Sequence, residues 1–414
     1  MNFNYFFRYL HLHEVGLIEL LLAFYPIIGQ YSWGMLHLNS LTLIVIDILI
    51  ILLKRSRTRF DALLLIFILF CLFKQLLCFF ISKSHPTMGS LFYDIVIVIS
   101  IPIISSNIDP KRFIGSISWV TILCLLGILY HYSLFLSGRY EYINPLTLPF
   151  LEFDSTSRAL DEISRPTSFF WEPASYAVFM IIPIFYYLYE KKYVISTILI
   201  LSVFLSGSTN GIFFVFVLLL SRLIFTKFRF SYLIISILLI GITYYALYNY
   251  KGFEVGVKKM ENTDYENNVR IANGPRLVSK MPIDHLLIGF PSPTVEKYLE
   301  GNHNINQVGL GFQVTKTGNK LLFVSDFWRI LAHFGVIGLA LLLICYFSKF
   351  RRCVALRPYI IVLLVSLFTQ SLVLGLMWTF EWIFIISFVN LQKKRSIKDR
   401  SVLLFKKRAI GIKK

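Results

Sequence analysis

Cysteine is scarce in this chain of 414 residues, and the five cysteines avoid the long polar segments. Four of them fall inside apolar runs, and the fifth, Cys353, lies among basic residues. Their spacing matches no zinc or redox motif. This pattern argues against disulfides and against a metal or redox centre built on cysteine.

Other common sequence features are also missing. The chain has no internal repeat, and nothing in it resembles an RNA- or DNA-binding module, so its net charge of +18 does not indicate nucleic-acid binding. No small-residue cleavage site follows the first apolar run, so we expect no cleavable signal peptide. No cluster such as Asp-x-Asp occurs in the polar loops, so no metal or other cofactor is expected.

Apolar residues are abundant. Hydrophobic residues make up 56% of the chain and aromatic residues 16%, with a mean hydropathy of +0.68. These values exceed what a soluble domain of this length carries. The sequence therefore predicts an all-α, polytopic integral membrane protein that forms one domain over residues 1–414.

Apolar runs long enough for membrane helices recur along the whole chain, since a helix needs about 20 residues to cross a core about 30 Å thick. We predict about twelve spans. The break at residues 206–211 fits either a connection between two spans or a re-entrant turn. The predicted spans are residues 15–31, 35–53, 62–82, 91–106, 114–136, 174–189, 194–205, 211–224, 232–248, 330–347, 359–374 and 380–389.

Short basic segments fall at alternate ends of successive spans. They are residues 54–59, 110–112, 190–192, 226–229, 349–352 and the tail at residues 393–414. Because excess Lys and Arg marks cytoplasmic connections, we expect both termini in the cytoplasm. These residues also favour attraction to anionic membrane lipid.

Two long polar segments are then expected on the outer side of the membrane. They are a first outer loop at residues 137–171 and a larger, periplasmic loop at residues 251–328. Long connections in a compact protein are usually functional. We therefore expect a functional site on the outer face of the membrane.

The stretch "RPTSFFWEPASYAVF", residues 165–179, begins the sixth predicted span. Pro173 suits the first turn of a helix, and Glu172 places a carboxylate at the positive end of the helix dipole. Arg165 precedes a proline, so its backbone is expected to be extended. A guanidinium beside aromatic residues at an interface suits a lipid-linked phosphate or diphosphate, but an Arg–Glu pair that anchors the helix explains the same residues.

The same stretch resembles the Arg-x-x-Ser-x-Phe-x-Glu-Pro-x-x-x-Ala segment of O-antigen and capsule polymerases, the Wzy family. "FLSGSTNGIFF" (residues 204–214) is similar to the Leu-Ser-x-Ser-x-x-Gly turn of that family. "RLVSKMPIDHLLIGF" (residues 276–290) resembles its long outer loop, and "RILAHFGVIGLALLL" (residues 329–343) resembles the Gly-x-x-Gly helix that follows.

The resemblance implies a metal-independent glycosyltransferase of the membrane-embedded C-type fold in a bacterial plasma membrane. It would join undecaprenyl-diphosphate-linked oligosaccharide units at the outer leaflet, in cooperation with a flippase and a chain-length regulator. Such chemistry requires stabilisation of a departing diphosphate and removal of a proton from an acceptor hydroxyl.

The resemblance also suggests roles for individual residues. Arg165 would bind the diphosphate of donor or acceptor, and Glu172 would act on the acceptor hydroxyl as a base or orienting group. Arg276 and Arg270, in the large outer loop, would bind the second diphosphate. Further substrate-binding candidates in the same stretch are Ser168, Phe170, Trp171 and Tyr176.

Other functions remain open at this point. O-antigen ligases usually carry a His-Asn pair before the late Gly-x-x-Gly helix, where this chain has "SDFWR" at residues 325–329. A flippase or transporter of lipid-linked sugars would also be polytopic, although transporters tend to show two matching halves that are not found here. A sensor or assembly factor would leave the Arg–Glu stretch without a task.

Ionisable residues inside the predicted spans are costly unless they are paired or face water. They are Glu19, Asp47, Lys74, Asp94 and Glu381. Lys74 and Asp94 both lie toward the outer ends of their spans. We therefore expect them to form a structural ion pair, with a role in the substrate path as the alternative.

Overall fold

The computed structural model describes residues 15–33, 36–53, 60–82, 88–139, 146–153, 166–225, 238, 241, 245, 269–290, 312–314, 320–322, 324–370, 372 and 374–411. This part of the chain is predominantly helical, as predicted. All five cysteines lie within it, and they are free and buried.

The α-helices of the described part are numbered in chain order. They are α1 (Leu17–Ile28), α2 (Leu38–Leu53), α3 (Ala62–Ser82), α4 (Met88–Asn107), α5 (Pro110–Leu136), α6 (Pro173–Tyr189), α7 (Tyr193–Leu205), α8 (Thr209–Phe225), α9 (Val269–Val278), α10 (Ile283–Ile288), α11 (Asp326–Arg352), α12 (Arg357–Thr369) and α13 (Leu376–Gly411). A 3₁₀ turn at Val354–Leu356 joins α11 to α12.

Five short strands accompany the helices. They are β1 (Tyr31–Trp33), β2 (Leu36–His37), β3 (Glu152–Phe153), β4 (Phe312–Val314) and β5 (Lys320–Leu322). Strand β1 pairs antiparallel with both β2 and β3, and β4 pairs antiparallel with β5. The sequence did not predict these strands. They lie in connections between helices, where two or three residues have no periodic pattern to reveal them.

Eleven of the twelve predicted spans coincide with helices in the described part of the chain. The ninth, residues 232–248, lies outside it except for residues 238, 241 and 245. The largest difference in length is at α13, which continues as helix to Gly411 through most of the residues predicted as a tail. Charged residues such as Lys and Arg are good helix formers, so their polarity ends an apolar run without ending a helix.

Among the described residues, two helices are long and apolar enough to cross a membrane by length and composition, α5 and α11. The other apolar helical stretches with described side chains are 10–17 residues long. Helix α7, with 13 residues, is about 20 Å long at 1.5 Å per residue. The total number of spans therefore stays a prediction.

Helix α6 is the central helix of the bundle. Nearly all of its side chains are buried, and it packs against α5, α7, α8, α12 and α13. A helix that is apolar on every side suits this position. Aromatic rings fill its contacts: Phe179 stacks on Phe380 with ring centroids 6.0 Å apart, and Phe185 lies 5.3 Å from both Tyr359 and Phe388.

The two ends of α6 define the two ends of the bundle. We call the end of the bundle at which α6 begins the Glu172 end. There the backbone N–H of Trp171 donates to Oε1 of Gln30, which lies just beyond α1. At the opposite end, called the Lys349 end, α6 stops at Glu190 and α11 approaches its last turn at Lys349. The two ends carry different kinds of contact.

Charged pairs mark the Lys349 end. Lys349 pairs with Asp61, Arg395 Nη1 lies 2.8 Å from Glu190 Oε1, and Lys394 Nζ lies 3.6 Å from Asp109 Oδ2. The basic segments predicted at residues 110–112, 190–192 and 349–352 meet here. The segments at residues 54–59 and 226–229 lie outside the described residues.

Candidate functional site

The chain from 166 to 172 is a buried loop that leads into α6, and two polar side chains accept hydrogen bonds from its backbone. His131 Nδ1, on α5, accepts the backbone N–H groups of Thr167 and Ser168, each at 3.3 Å. Gln30 Oε1 accepts the N–H of Trp171 at 3.0 Å. Because Nδ1 accepts hydrogen bonds, the ring proton of His131 belongs on Nε2. Sequence reasoning missed both His131 and Gln30.

A second set of bonds ties this loop to residue 146, in the connection between α5 and α6. The hydroxyl of Tyr31 donates to the carbonyl oxygen of Leu146 at 2.7 Å and lies 3.3 Å from that of Phe169. The N–H of Leu146 donates to the carbonyl oxygen of Ser168 at 2.9 Å. The loop therefore has its backbone groups paired on several sides, which fixes its path.

Ser168 lies at the tightest point of the loop. Its φ of 56° falls in the left-handed region, which non-glycine residues seldom adopt, and its side chain is buried. Its hydroxyl faces Gly127 of α5, where a Cβ would come closer than 3.0 Å to the Ser168 oxygen. Buried residues held in this region are concentrated at functional sites.

Helix α6 begins at Pro173, as the sequence predicts, with Glu172 as its N-cap residue. Glu172 has extended backbone angles, φ −144° and ψ 155°, and its side chain makes no capping hydrogen bond to the helix. The carboxylate is partly buried at the N-terminal end of α6. The proline, rather than a side-chain cap, thus sets the helix start.

The predicted substrate-binding residues of this stretch differ in exposure. Trp171 is partly buried, whereas Ser168, Phe170 and Tyr176 are buried. The Phe170 ring lies 5.9 Å from that of Tyr176, and the Tyr176 hydroxyl donates to Ser202 Oγ at 2.8 Å. These contacts hold α6 against α7, and a direct contact of the three buried residues with substrate stays a prediction.

Two of the four predicted catalytic or phosphate-binding residues are not described in full. Arg165 lies outside the described residues, and Arg270 belongs to α9 but its side chain is not described. Arg276 is an exposed residue in the last turn of α9. Helix α9 packs against α11, where Gly274 lies directly on Trp328.

The turn between α7 and α8 packs on the helix that begins at Pro173. Gly207 has a φ of 64°, and Ser208 Oγ accepts the N–H of Gly211 at 3.1 Å. A Cβ on Gly211 would come closer than 3.0 Å to Ala177 of α6. Ala177 and Gly211, the last residues of the two family patterns that these segments resemble, are therefore in contact.

The third and fourth resembling segments also meet through glycines. Gly289 follows α10 with a φ of 83°, and Gly335 kinks α11 with a φ of 66°. A Cβ on Gly289 would overlap the carbonyl oxygen of His333, and one on Gly335 would overlap that of Leu287. Two glycines are needed because the two backbones touch.

Backbone and aromatic contacts complete this junction. The N–H of Phe290 donates to the carbonyl oxygen of Ala332 at 3.0 Å, and its ring lies 4.6 Å from that of His333. A small apolar cluster surrounds the junction. It contains Leu277, Met281, Phe290, Val324 and Ala332.

Lys74 and Asp94 do not form the expected ion pair. Lys74 Nζ donates to the carbonyl oxygen of Gly289 at 3.1 Å, at the glycine junction. Asp94 lies beside Gln75 and is close enough to Arg329 for a Coulombic attraction. The expectation was wrong because a free backbone carbonyl at a sharp turn competes with a carboxylate for the ammonium group.

Asp326 and Arg329 are polar residues at the start of α11 that sequence reasoning did not select. Arg329 Nη2 lies 2.7 Å from Asp326 Oδ1. The second carboxylate oxygen of Asp326 accepts the N–H of Leu372, and its own N–H donates to the carbonyl oxygen of Gln370 at 2.7 Å. Their spacing of three residues on one helix was the available signal.

Glu381 lies between the contact of α6 with α8 and the start of α11. It is buried on α13, where it feels the charge of Asp326 and lines a small cavity with Val178 of α6 and Phe214 of α8. Among the described residues, no group of three or more His, Cys, Asp or Glu side chains is arranged to hold a metal ion.

The Glu172 end thus combines a buried loop, two glycine contacts and a set of polar side chains on α3, α4, α11 and α13. No family model matches the chain, and no curated protein and no solved structure matches it.

Proposed function

We propose that this protein is a membrane-embedded O-antigen or capsule polysaccharide polymerase. In this proposal about twelve spans lie in the bacterial inner membrane, both termini face the cytoplasm, and the Glu172 end faces the periplasm. The substrate is an undecaprenyl-diphosphate-linked oligosaccharide. The fold is that of a C-type membrane glycosyltransferase that works without a metal.

The outer faces of the helices support a membrane location. On α3 the exposed side chains form one stripe at helical spacing: Ile66, Leu69, Phe73, Leu77 and Phe80. Stripes of exposed Leu, Ile, Val and Phe occur on α2 and α4 as well. A soluble protein seldom exposes apolar area of this extent, whereas lipid solvates it.

One observation carries the proposed activity: the segments that resemble the polymerases pack together in pairs. Ala177 of the first meets Gly211 of the second, and Gly289 of the third meets Gly335 of the fourth. Glu381 connects the pairs through its neighbours on α6, α8 and α11. A shared site at the Glu172 end would account for the convergence of all four segments.

The proposed reaction joins two lipid-linked units. A hydroxyl at the non-reducing end of the acceptor attacks the anomeric carbon of the donor chain, and the bond from that carbon to the diphosphate oxygen breaks. The hydroxyl proton passes to the Glu172 carboxylate. Undecaprenyl diphosphate leaves with the bonding electrons, and the Arg165 guanidinium stabilises its negative charge.

The remaining residues have supporting roles in this proposal. Arg276 and Arg270 on α9 bind the second diphosphate, and Trp171 stacks against a sugar or the polyprenyl chain beside Glu172. Ser168, Phe170 and Tyr176 complete the wall behind this surface. Pairing with Asp326 orients Arg329 at the start of α11, the helix against which α9 and its Arg276 pack.

The test is the surface polysaccharide ladder of a strain that lacks the gene, resolved on a gel. The deletion is complemented with wild type, Arg165→Lys or Glu172→Gln at matched protein levels. We expect the deletion and both variants to carry a single repeat unit, since lysine cannot present the planar fork of arginine. Arg139→Ala, an exposed arginine just beyond α5, is the matched control and should restore the full ladder.

The alternatives predict different gels. If the deletion removes even the single unit, the protein is a ligase or a flippase of the same substrates. If Arg165→Lys and Glu172→Gln restore full ladders, these two residues anchor α6 and the assigned site is wrong. Lengthening of a glycan by the purified protein in detergent would exclude a transporter, because a transporter makes no new bond.

A further inference from the structure

The Lys349 end contains a second cavity, which the proposed polymerase reaction does not use. Its volume is about 810 Å³. It opens between the start of α3, the junction of α4 and α5, the end of α11 and the middle of α13. This volume is large enough for a headgroup with part of its chains.

Positive charge dominates the wall of this cavity. Four cations line it, Lys349, Arg352, Lys393 and Lys394, against the single carboxylate of Asp61. Lys349 is nearly buried and already paired with Asp61. Two further cations, Arg352 and Lys393, lie close enough to Lys349 to repel it. The cavity therefore has excess positive charge.

Among the described residues, little negative charge offsets this excess. Neither Arg352 nor Lys393 forms an ion pair within the described part of the chain, and both side chains are exposed at the cavity. Lys394 contacts Asp109 only at 3.6 Å, with both side chains well exposed, so this pair is weak. A bound anion would relieve the repulsion among these cations.

The rest of the wall is mixed. Ser105, Ser106, Asn390 and Gln392 add hydrogen-bonding groups, while Leu63, Ile386 and Val389 form an apolar side. An arginine and lysines beside hydroxyls and amides suit phosphate oxygens. The apolar side suits an acyl chain next to the phosphate.

We propose that this cavity binds the phosphate headgroup of an anionic lipid, separately from the site at the Glu172 end. The shared chemistry is a phosphate group that accepts charge-assisted hydrogen bonds from Arg352 and Lys393. A soluble phosphate compound offers the same group without the acyl chain. The experiment distinguishes these two sources.

The test measures binding of a short-chain phosphatidic acid to the delipidated full-length protein in a zwitterionic detergent. The double variant Arg352→Gln/Lys393→Gln should weaken binding by about thirtyfold, given the attraction of each basic residue for an anionic headgroup. The control Arg351→Gln/Lys111→Gln removes the same charge from exposed residues at the same end that do not line the cavity. Its binding should change less than about threefold by the same reasoning.

Two further arms complete the design. Short-chain phosphatidylcholine should bind at least about tenfold more weakly than phosphatidic acid, because its headgroup carries no net charge. Pyrophosphate at millimolar concentration tests whether the cavity binds a soluble phosphate compound rather than a lipid. If pyrophosphate binds as tightly as phosphatidic acid, the lipid assignment is wrong.

Equal weakening by the two double variants would also overturn the proposal, since it would mean attraction by the surface as a whole. Unchanged binding in Arg352→Gln/Lys393→Gln would overturn it as well. Both variants change exposed residues without a described ion-pair partner, so both are expected to fold. Identical gel-filtration profiles check this.

Discussion

Helix α6 carries a glutamate at each end, and the two lie in opposite surroundings. Glu172 precedes the helix beside a loop whose backbone is held by His131 and Gln30. Glu190 ends the helix and forms an ion pair with Arg395, in which both side chains are partly exposed. Backbone hydrogen bonds and glycine contacts predominate at the Glu172 end, which also has the Asp326–Arg329 pair, whereas three ion pairs lie at the Lys349 end.

This difference determines which amino-acid substitutions each end tolerates. Backbone and glycine contacts depend on positions within a few tenths of an ångström, so a single added methyl group disturbs them. The exposed Lys394–Asp109 pair contributes little and tolerates substitution, whereas the largely buried Lys349–Asp61 pair does not tolerate loss of one partner. A reaction site needs the first kind of construction, whereas attraction to a membrane surface needs only the second.

The largest effect is expected at the glycine junction of α10 and α11. Gly289→Ala or Gly335→Ala adds a Cβ that overlaps backbone and places alanine in a glycine-only region, which costs about 2–5 kcal/mol. The thermal midpoint in detergent should fall steeply, with loss of monodisperse protein. Gly138→Ala is the control, because Gly138 has a φ of 72° but no atom within 4 Å of its added Cβ.

Gly138→Ala should cost only about 1–2 kcal/mol, the strain of its backbone alone. If all three alanine variants lose the same stability, backbone contact at the junction is not what makes Gly289 and Gly335 special. The contrast between the ends would then lose its main support.

His131→Ala should have the next largest effect. It leaves the N–H groups of Thr167 and Ser168 without their acceptor, which costs roughly 2–4 kcal/mol in a buried site. His131→Asn keeps an acceptor close to the position of Nδ1 and should recover about half of the loss. Thermal midpoints and ladder length report the result. Equal behaviour of the two variants would argue against the hydrogen bonds.

Gly127→Ala probes the strained position at Ser168. The new methyl group meets the Ser168 hydroxyl and should cost about 1–3 kcal/mol. Ser168→Gly removes both the hydroxyl and the strain of the positive φ, so the double variant Gly127→Ala/Ser168→Gly should be more stable than Gly127→Ala alone. Additive losses in the double variant would contradict the contact.

A smaller, pH-dependent effect is expected at the Lys349 end. Burial raises the pKa of Asp109, but the N–H groups of Arg112 and Lys111 and the charges of Lys394 and Arg112 outweigh it and lower the pKa overall. Because the folded pKa is depressed, the stabilisation is present above the ordinary carboxyl pKa of about 4 and is lost as pH falls through the folded pKa.

Asp109→Ala should therefore lower stability by about 1 kcal/mol at pH 7, the usual effect of an N-cap, and by less near pH 3. Thermal midpoints of both proteins between pH 7 and pH 3 give the difference. A constant difference across this range would mean that the carboxylate charge does not matter there.

Local features of the fold followed from the sequence. The start of α6 was predicted at Pro173 because a proline in the first turn is a local signal, and the apolar runs located the helices. The length of α13 was not predicted, since a change from apolar to charged residues ends a run but leaves helix propensity intact. The short strands gave no periodic signal.

Contacts between segments distant in the chain could not be predicted from the sequence. No local pattern tells that Gly289 meets Gly335, or that Lys74 reaches the carbonyl oxygen of Gly289 instead of Asp94. His131 was missed because one histidine inside an apolar run has the same appearance whether it packs passively or accepts two backbone hydrogen bonds. The resemblance pointed to the Glu172 end of the bundle, but not to His131 and Gln30, which hold the loop there.

The most direct test of the central claim compares the two glutamates of α6 in cell-free polymerisation. Purified wild type, Glu172→Gln and Glu190→Gln are supplied with lipid-linked repeat units in detergent, and product length is followed with time. We predict that Glu172→Gln loses at least about a hundredfold in rate, the usual contribution of a general base, at an unchanged thermal midpoint. Glu190→Gln should retain nearly full rate. Full activity of Glu172→Gln, or equal losses in both variants, would contradict the placement of the reaction at the Glu172 end.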